Sequence, residues 1–136
     1  MTKVDTQTRT PKQFPIDVTI RTHTVIADAS VAAGGEDTAP GAHDWFDAAL
    51  ATCKSHTALW YARKKSYPLE RVITHLESDN SREREGFYAL HVRVELIGSL
   101  DDNQRADIMR AIEKCPVAKL MTTTEVTITQ ELTSSP

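Results

Sequence analysis

The chain has 136 residues, the size of one ordinary domain, with 40% hydrophobic and 26% charged residues. A formal net charge of -3 with scattered Lys and Arg excludes the basic footprint of a nucleic-acid binder. No apolar run approaches the roughly 20 residues of a membrane span, and the polar stretch 1–14 lacks the apolar region of a secretory signal. A cytosolic protein forming one domain over 1–136 is expected, with no nucleic-acid or membrane partner.

Residues 1–14 read as a loose, flexible N-terminal arm, or one that orders only on a partner. Ile16 to Asp28 reads as extended: Val18 and Ile20 alternate with polar positions, and Thr24-Val25-Ile26 is β-branched. The Gly-rich stretch from Ser30 to Ala42 is a loop. Asp44 to Lys65 is the clearest helix. It has no Gly or Pro, is rich in Ala, opens on an acid and closes on Arg63-Lys64-Lys65, complementing the helix dipole. Phe46, Ala49, Leu50, Cys53, Thr57 and Trp60 recur at helical spacing, so this helix is expected in a core or a subunit interface.

Leu69 to Ser78 and Phe87 to Ile97 then predict a long hairpin joined by a charged turn. Leu90, Val92, Val94 and Leu96 mark its buried face against His91, Arg93 and Glu95. A second helix is predicted from Asp101 or Asp102 to about Glu113. Pro116 interrupts it and opens a short helical turn at Cys115-Pro116. Glu125 to Leu132 alternates Val126, Ile128 and Leu132 and predicts a final strand, with a fraying tail from Thr133. The sum is an α+β pattern of antiparallel sheet with helices packed on it.

The chemistry-bearing candidates are the two cysteines. Cys53 lies mid-helix on the apolar stripe, where a thiol is either a small core hydrophobe or a nucleophile that needs cationic or hydrogen-bonding neighbours. Cys115 lies at a break between helical segments, beside Lys114 and Lys119. There, free backbone N–H groups favour thiolate, or else the thiol is incidental to a cap position. The five histidines fall in different elements. Cys53 and His56 share one helix three positions apart, but no second pair matches them, and neither a CxxC nor an HExxH run occurs. His56 is either a group that tunes Cys53 or, the preferred reading, a helix-surface histidine. No metal or cofactor is implied, no Gly-rich phosphate loop opens a helix, and no GxSxG elbow supports a serine hydrolase.

Four segments, taken in order, resemble the OsmC-like family, which includes the organic hydroperoxide resistance proteins. They are Ala27-Asp28 followed by Gly34-Gly35 and Asp37; the helix from Asp44 through Ala48-Ala49-Leu50 to Cys53; the helix exit Tyr61 to Glu70; and Asp102 to Lys114 with Cys115-Pro116-Val117. The resemblance runs from about Asp17 to Leu132. It implies an OsmC-like fold, with antiparallel sheets packed around a central Cys-bearing helix in an intertwined homodimer. It implies a peroxidatic thiolate at Cys53, a resolving thiol at Cys115, and a supporting acid at Asp44, where many members carry glutamate. Arg21 is the nearest candidate for the arginine that peroxidase members use. The implied activity is reduction of an organic hydroperoxide through a Cys53 sulfenate and a Cys53–Cys115 disulfide. A dithiol, often a lipoyl group in the family, would re-reduce it. The alternative is a non-catalytic OsmC-like dimer that binds a small apolar ligand with both thiols inert.

Overall fold

The computed structural model describes residues 1–133. The fold is α+β, with two small antiparallel sheets and three α-helices among the described residues. The chain groups into two compact units, Met1–Ala49 and the part from Leu50 onward.

The N-terminal unit is built on a three-stranded sheet, β1 (Val4–Thr8), β2 (Ile16–Ile20) and β3 (His23–Ala27), in the order β1-β2-β3. β1 pairs with β2 in the register Val4↔Ile20, and β2 pairs with β3 in the register Ile20↔His23. This corrects the reading of 1–14 as a loose arm. Val4–Thr8 alternates too weakly in hydrophobicity to announce itself, and all five of its residues are exposed. Its order comes from backbone pairing along β2.

The Gly-rich loop after β3 is organised by one buried carboxylate. Asp28 accepts hydrogen bonds from the Thr38 hydroxyl at 2.6 Å and the Thr38 N–H at 2.9 Å, and from the Ala29 N–H at 2.8 Å and the Glu36 N–H at 3.3 Å. Its own N–H donates to the Pro40 carbonyl at 3.0 Å. Gly35 passes so close that a Cβ there would lie 2.2 Å from the Ala29 carbonyl oxygen, so no side chain fits. These donors, led by the Thr38 hydroxyl, hold the Asp28 carboxyl down at about 2.

Helix α1 (Ala42–Lys64) starts at the end of this loop. Asp44 reaches back to accept the Gly41 N–H at 2.8 Å, which ties off one free donor of the first turn. The helix continues into the C-terminal unit. There β4 (Leu69–Asp79) and β5 (Ala89–Gly98) form the expected hairpin, with Thr74↔Val94 and Leu76↔Val92 opposed. Helices α2 (Asp102–Glu113) and α3 (Pro116–Thr122) follow. Asp101 and Gln104 form a reciprocal capping box at the start of α2. Gly98 has φ +152° and lies so near the Pro68 carbonyl that a Cβ would sit 2.1 Å from it. Arg105 of α2 donates to the Leu96 carbonyl at 2.5 Å and the Gly98 carbonyl at 3.2 Å.

The core of this unit is Ala58 and Ala62 of α1 against Ile108 and Ile112 of α2, flanked by Val72, Val94 and Leu96 of the hairpin. A second carboxylate braces it. Asp107 accepts the Tyr67 hydroxyl at 2.7 Å and the Tyr61 hydroxyl at 2.9 Å. The Tyr67 hydroxyl is pushed up to about 12, first by that hydrogen bond to the anion and then by desolvation.

The predicted final strand is not formed. Residues 125–132 have no regular secondary structure, and Val126, Ile128 and Leu132 are exposed. Alternation marks β-propensity, but a strand also needs a neighbouring edge to accept its backbone hydrogen bonds. Of the fraying tail, all but Thr133 lies outside the described residues.

Two outcomes follow from this packing. Ile108→Ala should cost about 2–5 kcal/mol, seen as a lower urea midpoint, because a fully buried side chain leaves a cavity. Asp28 has a folded-state pKa below its usual 3.8, so its contribution to stability is complete above about pH 4 and is lost as pH falls through about 2. In Asp28→Asn, hydrogen exchange at the Glu36 and Thr38 amides should be fast at every pH. Slow exchange there would mean that the carboxylate does not hold the loop.

Candidate active site

Helical spacing along α1 carries Cys53, His56, Thr57 and Trp60 to one side of the helix. There they line an open cavity of about 540 Å³, completed by Ala111, Lys114 and Pro116 from the end of α2 and the start of α3. Its walls are largely apolar, with His56 and Lys114 as the basic groups. Cys53 is half-buried, and the Thr57 hydroxyl lies 4.0 Å from its sulfur.

Cys115 directly precedes the cavity-lining Pro116 and is fully buried. It is the N-cap residue of α3, with Pro116 in the first turn, where a missing N–H costs nothing. The Cys53 thiol is among the groups that act on Cys115, so two thiols far apart in the chain are neighbours in the fold. Burial is the main influence on Cys115 and pushes its thiol up. The Ala118 N–H and the charge of Lys54 pull it down, and the neighbouring Cys53 pushes it up again. The Ala118 N–H faces the sulfur without completing a cap hydrogen bond. The net direction is upward, so Cys115 rests as a neutral thiol at neutral pH.

A family model for the OsmC-like protein matches residues 34–131, most of the chain. The chain belongs to the OsmC-like family.

Solved structures with the same fold include three useful comparisons. One is a Psychrobacter arcticus protein provisionally described as an osmotic stress induced and detoxification response protein. It is 18% identical, covers 90% of each chain and has a TM-score of 0.77. The second is an organic hydroperoxide resistance protein OsmC from Legionella pneumophila, at 18% identity, 90% of each chain and a TM-score of 0.68. The third is the organic hydroperoxide resistance protein OhrB of Bacillus subtilis, at 18% identity, 90% of this chain, 91% of that chain and a TM-score of 0.60. At these identities the likeness establishes the fold. Among curated proteins, no sequence matches this chain.

Of the four site residues expected in this OsmC-like chain, the structure makes two neighbours, Cys53 and Cys115. Asp44 is exposed at the first turn of α1 and is engaged with the Gly41 N–H. Arg21 stands at the two-residue turn between β2 and β3, exposed, with φ +55° and its N–H on the Lys3 carbonyl at 3.0 Å. Both lie in the N-terminal unit, and the cavity lies wholly in the C-terminal one. His56, read as a surface histidine, is exposed and also lines the cavity.

Sequence reasoning missed Lys54. Its ammonium donates to the Ile112 carbonyl at 3.0 Å and carries positive charge toward Cys115. Its one mark in the sequence is its place directly after Cys53 on α1. Among the described residues, no three His, Cys, Asp or Glu side chains gather as metal ligands, and no helix is long and apolar enough to cross a membrane.

Exposure separates the two cysteines, and burial pushes the Cys115 thiol up. Under a limiting amount of iodoacetamide at pH 7, Cys53 should be alkylated well before Cys115, as read by peptide mass mapping. Equal labelling would mean that Cys115 is neither shielded nor held neutral.

Proposed function

We propose that this protein is a thiol-dependent peroxidase that reduces organic hydroperoxides. The observation that carries the reading is the pairing of a half-buried Cys53, at the wall of an apolar cavity, with a fully buried Cys115 beside it. Hydroperoxide resistance proteins of the same fold add to it.

In this reading the Cys53 thiolate attacks the distal oxygen of ROOH. The O–O bond breaks, ROH leaves with a proton, and Cys53 becomes a sulfenic acid. The Cys115 sulfur then attacks the Cys53 sulfur. An S–S bond forms, the S–O bond breaks, and hydroxide leaves as water with the Cys115 proton. The net change is ROOH and two thiols giving ROH, water and one disulfide. An external dithiol, often a lipoyl group in the family, reopens the disulfide and is itself oxidised. The apolar walls favour an alkyl or lipid R group over hydrogen peroxide.

Asp44 and Arg21 are proposed as supporting residues, Asp44 by holding the first turn of the Cys-bearing helix. A homodimer is part of the proposal. Trp45, Phe46, Leu59 and Trp60 are exposed along α1, a density of apolar surface that a lone monomer seldom leaves uncovered.

The decisive measurement is a thiol count with intact mass, before and after one equivalent of cumene hydroperoxide. Loss of both thiols and of two hydrogens supports the peroxidase. Two unchanged thiols sink it and favour a binding module for a small apolar ligand. Cys53→Ser should abolish turnover, and Cys115→Ser should allow one reduction event per chain and then stall. Full activity in Cys53→Ser would refute the assignment.

A further inference from the structure

The peroxidase reading leaves one group beside the two thiols without a task. Lys54 follows Cys53 on α1, within an otherwise largely apolar helix. Its ammonium donates at 3.0 Å to the carbonyl of Ile112, in the last turn of α2. That same oxygen accepts the Cys115 N–H at 3.3 Å and is one of two that accept the Lys114 N–H. Donors that share one acceptor oxygen lie within a few ångström of one another, so the ammonium is held beside the backbone of Cys115. One side chain thus bridges the helix that carries one thiol to the helix end that carries the other.

We infer that Lys54 is a positioning residue for the second half of the cycle, holding Cys115 against Cys53 and stabilising the Cys115 thiolate each time it forms. This inference rests on the peroxidase reading above. The Cys115 thiolate is formed twice: when Cys115 gives up its proton to attack the Cys53 sulfenic acid, and when Cys115 is the leaving sulfur as the disulfide is opened. In both steps negative charge develops on a sulfur buried away from water, where an unbalanced charge is costly. The groups around that sulfur are Cys53 and Lys54 from α1 and the Ala118 N–H from α3, with His56 and Lys114 lining the adjoining cavity. Of the cations, Lys54 is the one tethered at the Cys115 turn. The charge of Lys54 draws the Cys115 thiol downward against the upward push of burial, as this role requires.

The test compares Lys54→Gln, which offers a donor without a charge, with Lys54→Arg, which keeps the charge. The first readout does not depend on activity. The Cβ shift of 13C-labelled Cys115 is titrated with pH in a Cys53→Ser background, with and without each Lys54 change. Lys54→Gln should move the Cys115 midpoint to higher pH, and Lys54→Arg should leave it near that of the parent. The second readout is a single turnover with cumene hydroperoxide in the chain with both cysteines. Lys54→Gln should slow disulfide formation roughly tenfold, with little effect on sulfenic acid formation trapped by dimedone. Lys54→Arg should recover most of that loss. A Cys115 midpoint unmoved by Lys54→Gln overturns the inference. So does an arginine variant as impaired as the glutamine one, since that would mean a purely structural role. If the parent protein forms no disulfide at all, the peroxidase reading fails, and the Cys115 titration alone decides whether Lys54 governs that thiol.

Discussion

Helices α1 and α2 touch through Ala58 and Ala62 on one side and Ile108 and Ile112 on the other, and the C-terminal unit depends on that contact. Alanine presents only a methyl group, so the two helix backbones can approach closely, and the isoleucines fill what remains. Ala58 and Ala62 are one helical turn apart, as are Ile108 and Ile112, so the seam follows one line along each helix. Cys53 lies further along α1, and Cys115 lies just past the end of α2. The seam fixes the two helices against each other, and the Cys53 and Cys115 thiols are neighbours.

The same arrangement makes the two thiols unequal. Cys53 remains at the wall of a cavity, while Cys115 is closed over by the α2–α3 turn. Burial alone makes thiolate expensive, and a sulfur so placed is inert unless charge or hydrogen bonds compensate. At Cys115 the compensation is partial: one backbone N–H and one lysine oppose desolvation without overcoming it. A thiol kept neutral at rest but close to a cation suits a group whose charge is needed only briefly.

Two aspartates do for the loops and helices what apolar packing does for the core. Asp28 gathers the Gly-rich loop through four donors, and Asp107 gathers two tyrosine hydroxyls from the end of α1 and the turn after it. In each case a carboxylate with limited access to water is acceptable because its lone pairs are filled. The cost falls on neighbours of fixed shape. Gly35 can carry no side chain, and Tyr67 is held as a phenol far above its usual range.

Elements governed by local rules were legible in the sequence. The long helix, the β4–β5 hairpin with its half-buried face, the capped α2 and the proline-opened α3 all follow from periodicity, capping and the backbone limits of proline. Each of those acts within a few residues. The importance of Cys53 and Cys115 was also visible, through resemblance of the segments that carry them. Tertiary structure decided what depends on partners distant in the chain. Val4–Thr8 became a strand because β2 offered it an edge. Glu125–Leu132, with better alternation, found none among the described residues. Asp28 and Lys54 drew no notice in sequence as charged groups, because the oxygen or N–H that gives each its role lies in another segment. A hydrogen bond needs two groups at about 3 Å, and spacing along a chain reveals such a pair only within one regular element.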